Sequence, residues 1–233
     1  MASGTVRAWD WPTRAFHWSL VASIIAAYAS FKLADKIGDP MLVWHRWNGY
    51  FILILVVFRV LWGFFGSSTA RFSAFVVWPW NALRYGWMSL TGRAPAYLGH
   101  NPLGTWMVLT LLALVAAQGI LGLFSLEHNE LVAGPLKRLV SHETSEAITK
   151  LHVKGIYVIG AFVILHVLAN ALHGLFKEPL IPAMFHGTKP KADYIDQREA
   201  DIPANVTLHA LICFITAAGI VFGTVTALGG RIF

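Results

Sequence analysis

Thirteen residues separate His152 from His166, and Lys154 is the only charged one among them. In an α-helix, a step of fourteen residues rises about 21 Å and turns about 1,400°, some 40° short of four whole turns. Both imidazoles then leave one face of one helix, each near a different side of an apolar layer. Ionisable side chains inside a membrane span are costly and rare, so a pair in register needs a reason. Neutral imidazole is the commonest metal-binding side chain, and a ligand role supplies that reason. Two further histidines, His17 and His45, lie in apolar surroundings near the ends of other such stretches.

Composition agrees with a membrane setting. Of 233 residues, 56% are hydrophobic and 13% charged, against about a quarter charged in soluble domains. Several windows of eighteen or more residues carry at most one charge, the pattern of transmembrane helices. The net charge of +6 comes from Lys and Arg scattered through connections, which is no nucleic-acid signature. A single cysteine, Cys213, excludes an internal disulfide, a C-x-x-C-H haem attachment and a thiolate-held iron–sulfur cluster.

In chain order, residues 1–11 form a polar lead, and Pro12 fits the first turn of a helix reaching about Leu33. Arg7 and Arg14 before an apolar run also fit a signal peptide, but the lead is aromatic-rich and no soluble domain follows, so a first span is expected. The second runs from about Met41 to Phe65. Residues 66–103 hold Arg71, Arg84 and Arg93 and no acid, and their Trp-rich part fits the membrane interface. A third span, about Thr105–Phe124, has Gln118 as its strongly polar side chain, with Gly119 and Gly122 permitting close contact. After a connection with Glu127, Glu130, Glu143 and Glu146 comes the His152–His166 helix, then a polar stretch, then a last span of about Asn205–Leu228. Five spans put the termini on opposite sides. With the N-terminus in the cytoplasm, ten of the eighteen basic residues lie inside, a thin bias of the expected sign.

That topology sorts the histidines by level. His17 and His166 fall near the inner side, His45 and His152 near the outer. A lone membrane histidine is more often an interfacial anchor; four in two matched levels favour metal ligation, with each pair clasping one non-covalent b-type haem. Two axial histidines leave iron no open position, which suits electron transfer.

The stretches WDWPTRAFHW, WHRWNGY, FRVLWGFFG, GHNPLG and LHVKGIYVIGAFVILHVLANALHG resemble the bacterial cytochrome b561 family, relatives of the cytochrome b subunit of nickel–iron hydrogenase. The resemblance covers about residues 5–190. It implies an all-α integral membrane bundle, a four-helix di-haem core with haems on His17, His45, His152 and His166. Residues 1–190 would form that core, and residues 191–233 a polar linker and an additional fifth, C-terminal transmembrane helix. It also implies a bacterial inner-membrane location and a ubiquinone or menaquinone partner. The first functional expectation is quinol oxidation delivering electrons to a periplasmic c-type cytochrome. The alternatives are a membrane-anchor subunit for a hydrogenase or other dehydrogenase, and superoxide oxidation coupled to quinone reduction, which would make the chain an enzyme alone.

Other residues carry competing readings. Arg59 could snorkel to the interface or pair with a haem propionate, which its planar fork suits. Arg14, Arg46 and Lys150, beside the histidines, are similar propionate candidates. Gly49 and Gly155 share faces with His45 and His152, giving room for a flat haem or for helix contact. His173, seven residues after His166, is a rival inner ligand or a quinone-site group, with Tyr97 and His100 nearby candidates. His100 and His209 have no evident partner, whereas His128, His142 and His186 fall in polar connections and are expected in solvent. Glycine-bearing faces could pair two copies as a homodimer. No Gly-rich phosphate loop appears, so nucleotide binding is not expected.

Overall fold

The structure, a computed structural model, describes residues 4–126, 133–176 and 180–232. The expectations for Glu127, His128, Glu130 and Lys177 lie outside the described residues. Chain order is β1 (Thr5–Arg7), α1 (Trp11–Ile37), α2 (Asp39–Phe65), α3 (Phe72–Phe75), α4 (Pro79–Leu90), α5 (Pro102–Leu123), a 3₁₀ turn at Lys137–Leu139, α6 (His142–Phe176), α7 (Leu180–His186), β2 (Thr188–Pro190) and α8 (Val206–Ala227).

Local chemistry sets the ends of these helices. Asp10 Oδ1 accepts the Thr13 N–H at 2.7 Å and caps α1. Gly38, at φ 90°, ends α1 with its N–H on Ala34 O at 2.9 Å, a left-handed position that glycine takes without a Cβ clash. Pro102 opens α5, where its missing N–H costs nothing, and Asn101 Oδ1 accepts the Gly104 N–H at 2.8 Å. Ser141 Oγ accepts the Thr144 N–H at 3.1 Å before α6.

Among the described residues, four helices are long and apolar enough to cross a membrane: Pro40–Phe65, Pro102–Leu123, His142–Leu175 and Val206–Ala227. The chain is thus an integral membrane helical bundle, and the expected last span is among the four. Helix α1, at 27 residues, is not among them.

The chain divides into two compact units. The first comprises Met1–Phe16, Arg59–Leu111 and Phe162–Cys213. In it β1 pairs antiparallel with β2, Val6 opposite Lys189. Ala8, Trp9, Leu98, Ala183 and Tyr194 form one buried cluster. The stretch expected as a polar linker is folded here: Asp196 accepts the N–H groups of Leu98 and Gly99 at 2.7 and 2.9 Å, and the Ala200 N–H reaches Arg7 O at 2.8 Å. Residues 188–201 therefore form a strap across the N-terminal lead and the 95–99 loop. Helix α4 buries Ala82 and Tyr85 and exposes Trp80 and Trp87, as an interfacial helix does.

The second unit comprises His17–Phe58, Leu112–Ala161 and Phe214–Phe233. Tyr50, 1% exposed, packs at 5.5 Å on Phe222, and Phe58 at 6.4 Å on Phe214. The Asn48 amide donates to Ser23 O at 2.8 Å, satisfying a polar group that an apolar layer would otherwise strand. A Cβ on Gly119 would lie 2.6 Å from Leu53 Cδ2, so that glycine brings α5 and α2 into direct contact.

Candidate cofactor-binding site

The second unit brings two of the four expected ligands together. The rings of His45 (α2) and His152 (α6) lie 6.1 Å apart between centres, at 90° to each other. Both are half-buried. Nδ1–H of His45 donates to Ala27 O at 2.9 Å, with Ser30 Oγ 3.2 Å away. Nδ1–H of His152 donates to Gln118 O at 3.0 Å. A carbonyl can only accept, so each neutral ring carries its proton on Nδ1 and leaves Nε2 bare as a lone-pair donor. Holding one ring nitrogen on a carbonyl while the other faces the metal is the usual arrangement of a metal-ligating histidine.

The cleft around this pair is lined by Ile24, Phe31, Gly49, Ile52, Val115 and Ile156, among others. A Cβ on Gly49 would meet nothing within 4 Å, so helix contact does not explain this glycine; it leaves space on the ligand side. Gly155 differs, for its Cβ would lie 2.2 Å from Gln118 Oε1. There the glycine admits the Gln118 side chain, whose amide donates to His152 O at 2.8 Å. Gly122 faces His152 itself, with a Cβ position 3.1 Å from ring Cε1. Among the described residues no three His, Cys, Asp or Glu side chains converge on a metal site, so the donor set is two imidazoles in an apolar cleft. Bonds of about 2 Å to a shared metal put imidazole centres roughly 6–6.5 Å apart, and the pair fits. Such a donor set in such surroundings suits a flat, apolar, iron-bearing macrocycle better than a hydrated ion.

The other candidates are distributed between the units. His17, in the second, meets the edge of Trp18 at 4.9 Å. His166, in the first, has Asn170 Nδ2 at 3.4 Å from both ring nitrogens, while that amide donates to His166 O at 2.7 Å. Arg59 is 3% exposed, buried rather than reaching outward. Its guanidinium lies 5.3 and 5.7 Å from the ring centres of Phe72 and Phe75, and Nη1 and Nη2 have no hydrogen-bond partner among the described residues. The Arg14 guanidinium donates to Phe185 O. Arg46 is half-buried and Lys150 exposed. His173 and Tyr97 line a cavity of the first unit, whereas His100 packs at 4.8 and 4.7 Å on Trp9 and Phe75. His142 and His186 are exposed, as expected, and so is His209.

Sequence reasoning missed the two carbonyls that fix the ligand tautomers, since a backbone group has no side-chain signature. It also missed Asp10, which is 2% exposed and accepts from Trp62 Nε1 at 3.1 Å and the Ser67 N–H at 3.4 Å; a carboxylate in a polar lead gives no sign of burial.

Residues 8–187 match the family described as prokaryotic cytochrome b561. No curated protein and no solved structure matches the chain. The matched span holds all four histidines and most of the chain, and on it the chain belongs to the prokaryotic cytochrome b561 family, membrane-embedded proteins that transfer electrons through b-type haem.

Proposed function

We propose that the chain holds two b-type haems, an outer one between His45 and His152 and an inner one between His17 and His166, and carries electrons across the bacterial inner membrane between the quinone pool and a periplasmic redox partner. The observation that carries the proposal is the His45–His152 pair, 6.1 Å apart with both Nδ1 atoms on carbonyls. Haem iron supplies a one-electron ferric–ferrous couple when bound. His45 and His152 would hold it, their ring orientations fixed by Ala27 O and Gln118 O, and the aliphatic and aromatic walls of the cleft would exclude water. A quinol becomes quinone by releasing two electrons and two protons; the electrons pass singly to the partner side. A c-type cytochrome is the preferred acceptor.

Arg59 supports the inner site. A buried guanidinium whose two terminal nitrogens lack hydrogen-bond partners among the described residues matches the bidentate need of a propionate carboxylate. Arg14, Arg46 and Lys150 are weaker candidates for the remaining propionates.

Strand pairing supports α1 as a further span. Residues 5–7 and 188–190 are hydrogen-bonded to each other, so they lie on one side of the membrane, and an even number of crossings separates them. Three of the four strongly apolar helices fall between them. Helix α1 supplies the fourth crossing, and α8 then puts the C-terminus opposite the N-terminus. The thin positive-inside bias supports a cytoplasmic N-terminus.

Haem extracted per mass of protein tests the scheme. Two low-spin haems per chain are expected, one lost in His45→Ala or His152→Ala and the other in His17→Ala or His166→Ala. A ratio near one in the unsubstituted protein defeats the two-level scheme. Loss of the inner haem in His173→Ala but not in His166→Ala reassigns the inner ligand.

A further inference from the structure

The first unit contains a cavity of about 340 Å³, at the small end of ligand sites. One wall comes from Tyr85 of α4 and the loop carrying Tyr97 and Asn101, another from His173 of α6, and a third from Lys189 and Ala192 of the strap. Those last two residues follow the region matched by the family.

The wall is built, not incidental. Lys189 is 2% exposed, with Nζ donating to Tyr97 O at 3.0 Å and 5.6 Å from the ring centre of Tyr194. Asp196 fixes the facing loop through the Leu98 and Gly99 amides. Tyr85 meets Tyr97 edge-on at 5.6 Å. Burial, with Asp196 adding to it, pushes the Tyr97 phenol above its ordinary range.

The lining defines its ligand. Its polar side chains are two phenols, an amide, an imidazole and an ammonium, all able to donate hydrogen bonds, and no carboxylate lines the cavity among the described residues. The rest is Ala, Pro, Gly and Leu. A free phosphate would call for several Arg, Lys or amide groups converging on it, and one ammonium is present. Aromatic and aliphatic walls with donors at the edge complement a flat, neutral ring bearing acceptor oxygens. We propose that this cavity binds the head group of a quinone, with Lys189 and Tyr97 on the side that meets its carbonyl oxygens. The proposal rests on the quinone reading above and adds to it a place and a contribution from the strap.

The test uses the full-length, haem-loaded protein in lipid nanodiscs, with decylubiquinol and menadiol as electron donors and stopped-flow haem absorbance as readout. Lys189→Met removes the ammonium. Ala192→Leu, at a solvent-exposed position, narrows the cavity and keeps the test decisive should Lys189→Met fail to assemble. At least a tenfold rise in KM for quinol is expected in both, with haem content and the dithionite-reduced spectrum unchanged. Quinol kinetics like those of the unsubstituted protein in both variants overturn the cavity assignment and leave the quinone reading standing. If the unsubstituted protein exchanges electrons with neither quinol nor quinone, the quinone reading falls and this site falls with it.

Discussion

Gly49→Leu separates a haem cleft from ordinary helix packing. Gly49 lies one turn after His45, lines the cleft shared by His45 and His152, and its Cβ would meet nothing within 4 Å. In the haem-free chain the added Cβ meets nothing within 4 Å, and the substitution gains about 0.5–1 kcal/mol of helix propensity. With haem seated between the histidines, the four added carbons press on the macrocycle. Overpacking a filled site costs about 1–3 kcal/mol, which corresponds to roughly 5- to 150-fold weaker binding. The two effects have opposite signs. Gly160→Leu is the control: that glycine, on α6, also meets nothing within 4 Å and is absent from the cleft lining. Titration of haem into the apoprotein, followed by Soret absorbance, should show the outer haem weakened in Gly49→Leu and unaffected in Gly160→Leu, with the apo melting temperature lowered in neither. Unchanged haem affinity in Gly49→Leu, or equal losses in both variants, refutes the reasoning.

Other outcomes follow from the same geometry. Gly122→Ala brings a methyl to 3.1 Å from the His152 ring, which Gln118 O holds in place; displacing a ring so held should weaken the outer haem about tenfold, read by the same titration. Asp10→Ala strands the Thr13 and Ser67 amides and the Trp62 indole and removes the carboxylate acting on the Arg59 charge, so unfolding in denaturant should show a loss of about 3 kcal/mol or more. Arg7 holds the Glu199 carboxyl below the usual carboxylate range. Its contribution is present above the unfolded pKa and fades as pH falls through the depressed one, so the melting-temperature gap between the unsubstituted protein and Glu199→Gln should close on acidification. If a basic c-type cytochrome docks near the outer haem, changing Glu127, Glu130, Glu143 and Glu146 to Gln should lower both its reduction rate and the salt dependence of that rate.

The closeness of His45 and His152 was foreshadowed because helical periodicity and the cost of membrane burial act on the residues themselves. His152 and His166 declare a shared face by their spacing, and His45 declares a level by its place in an apolar run. What holds those rings was not legible, because Ala27 and Gln118 act through backbone oxygens. Arg59 stayed ambiguous for a different reason: the two rings that bury it, Phe72 and Phe75, belong to a connection whose path periodicity does not describe. Residues 188–201 read as a linker because they are polar and broken by proline. Their partners lie far away in sequence, at Arg7, Ser68 and Ala96, and local pattern carries no record of such pairing. Gly49 and Gly155, alike on paper, separated only when the space beside each Cβ was filled in.

The clasp between β1 and β2 also sets a timetable. Thr5–Arg7 is synthesised near the start of the chain and Thr188–Pro190 long after it. At 5–20 residues per second, elongation between the two takes roughly ten to forty seconds. Throughout that interval the lead that buries Ala8 and Trp9 in the finished protein has no strand partner, while the membrane helices between are already being inserted. Closing so long a loop is slow on entropic grounds unless the ends are brought together first, and on the proposed topology inserted helices do that by returning the chain to its starting side. Membrane insertion therefore precedes completion of the first unit. A nascent chain halted before residue 188 should leave its N-terminal lead open to protease, and one halted after residue 201, with the strap outside the ribosome, should not.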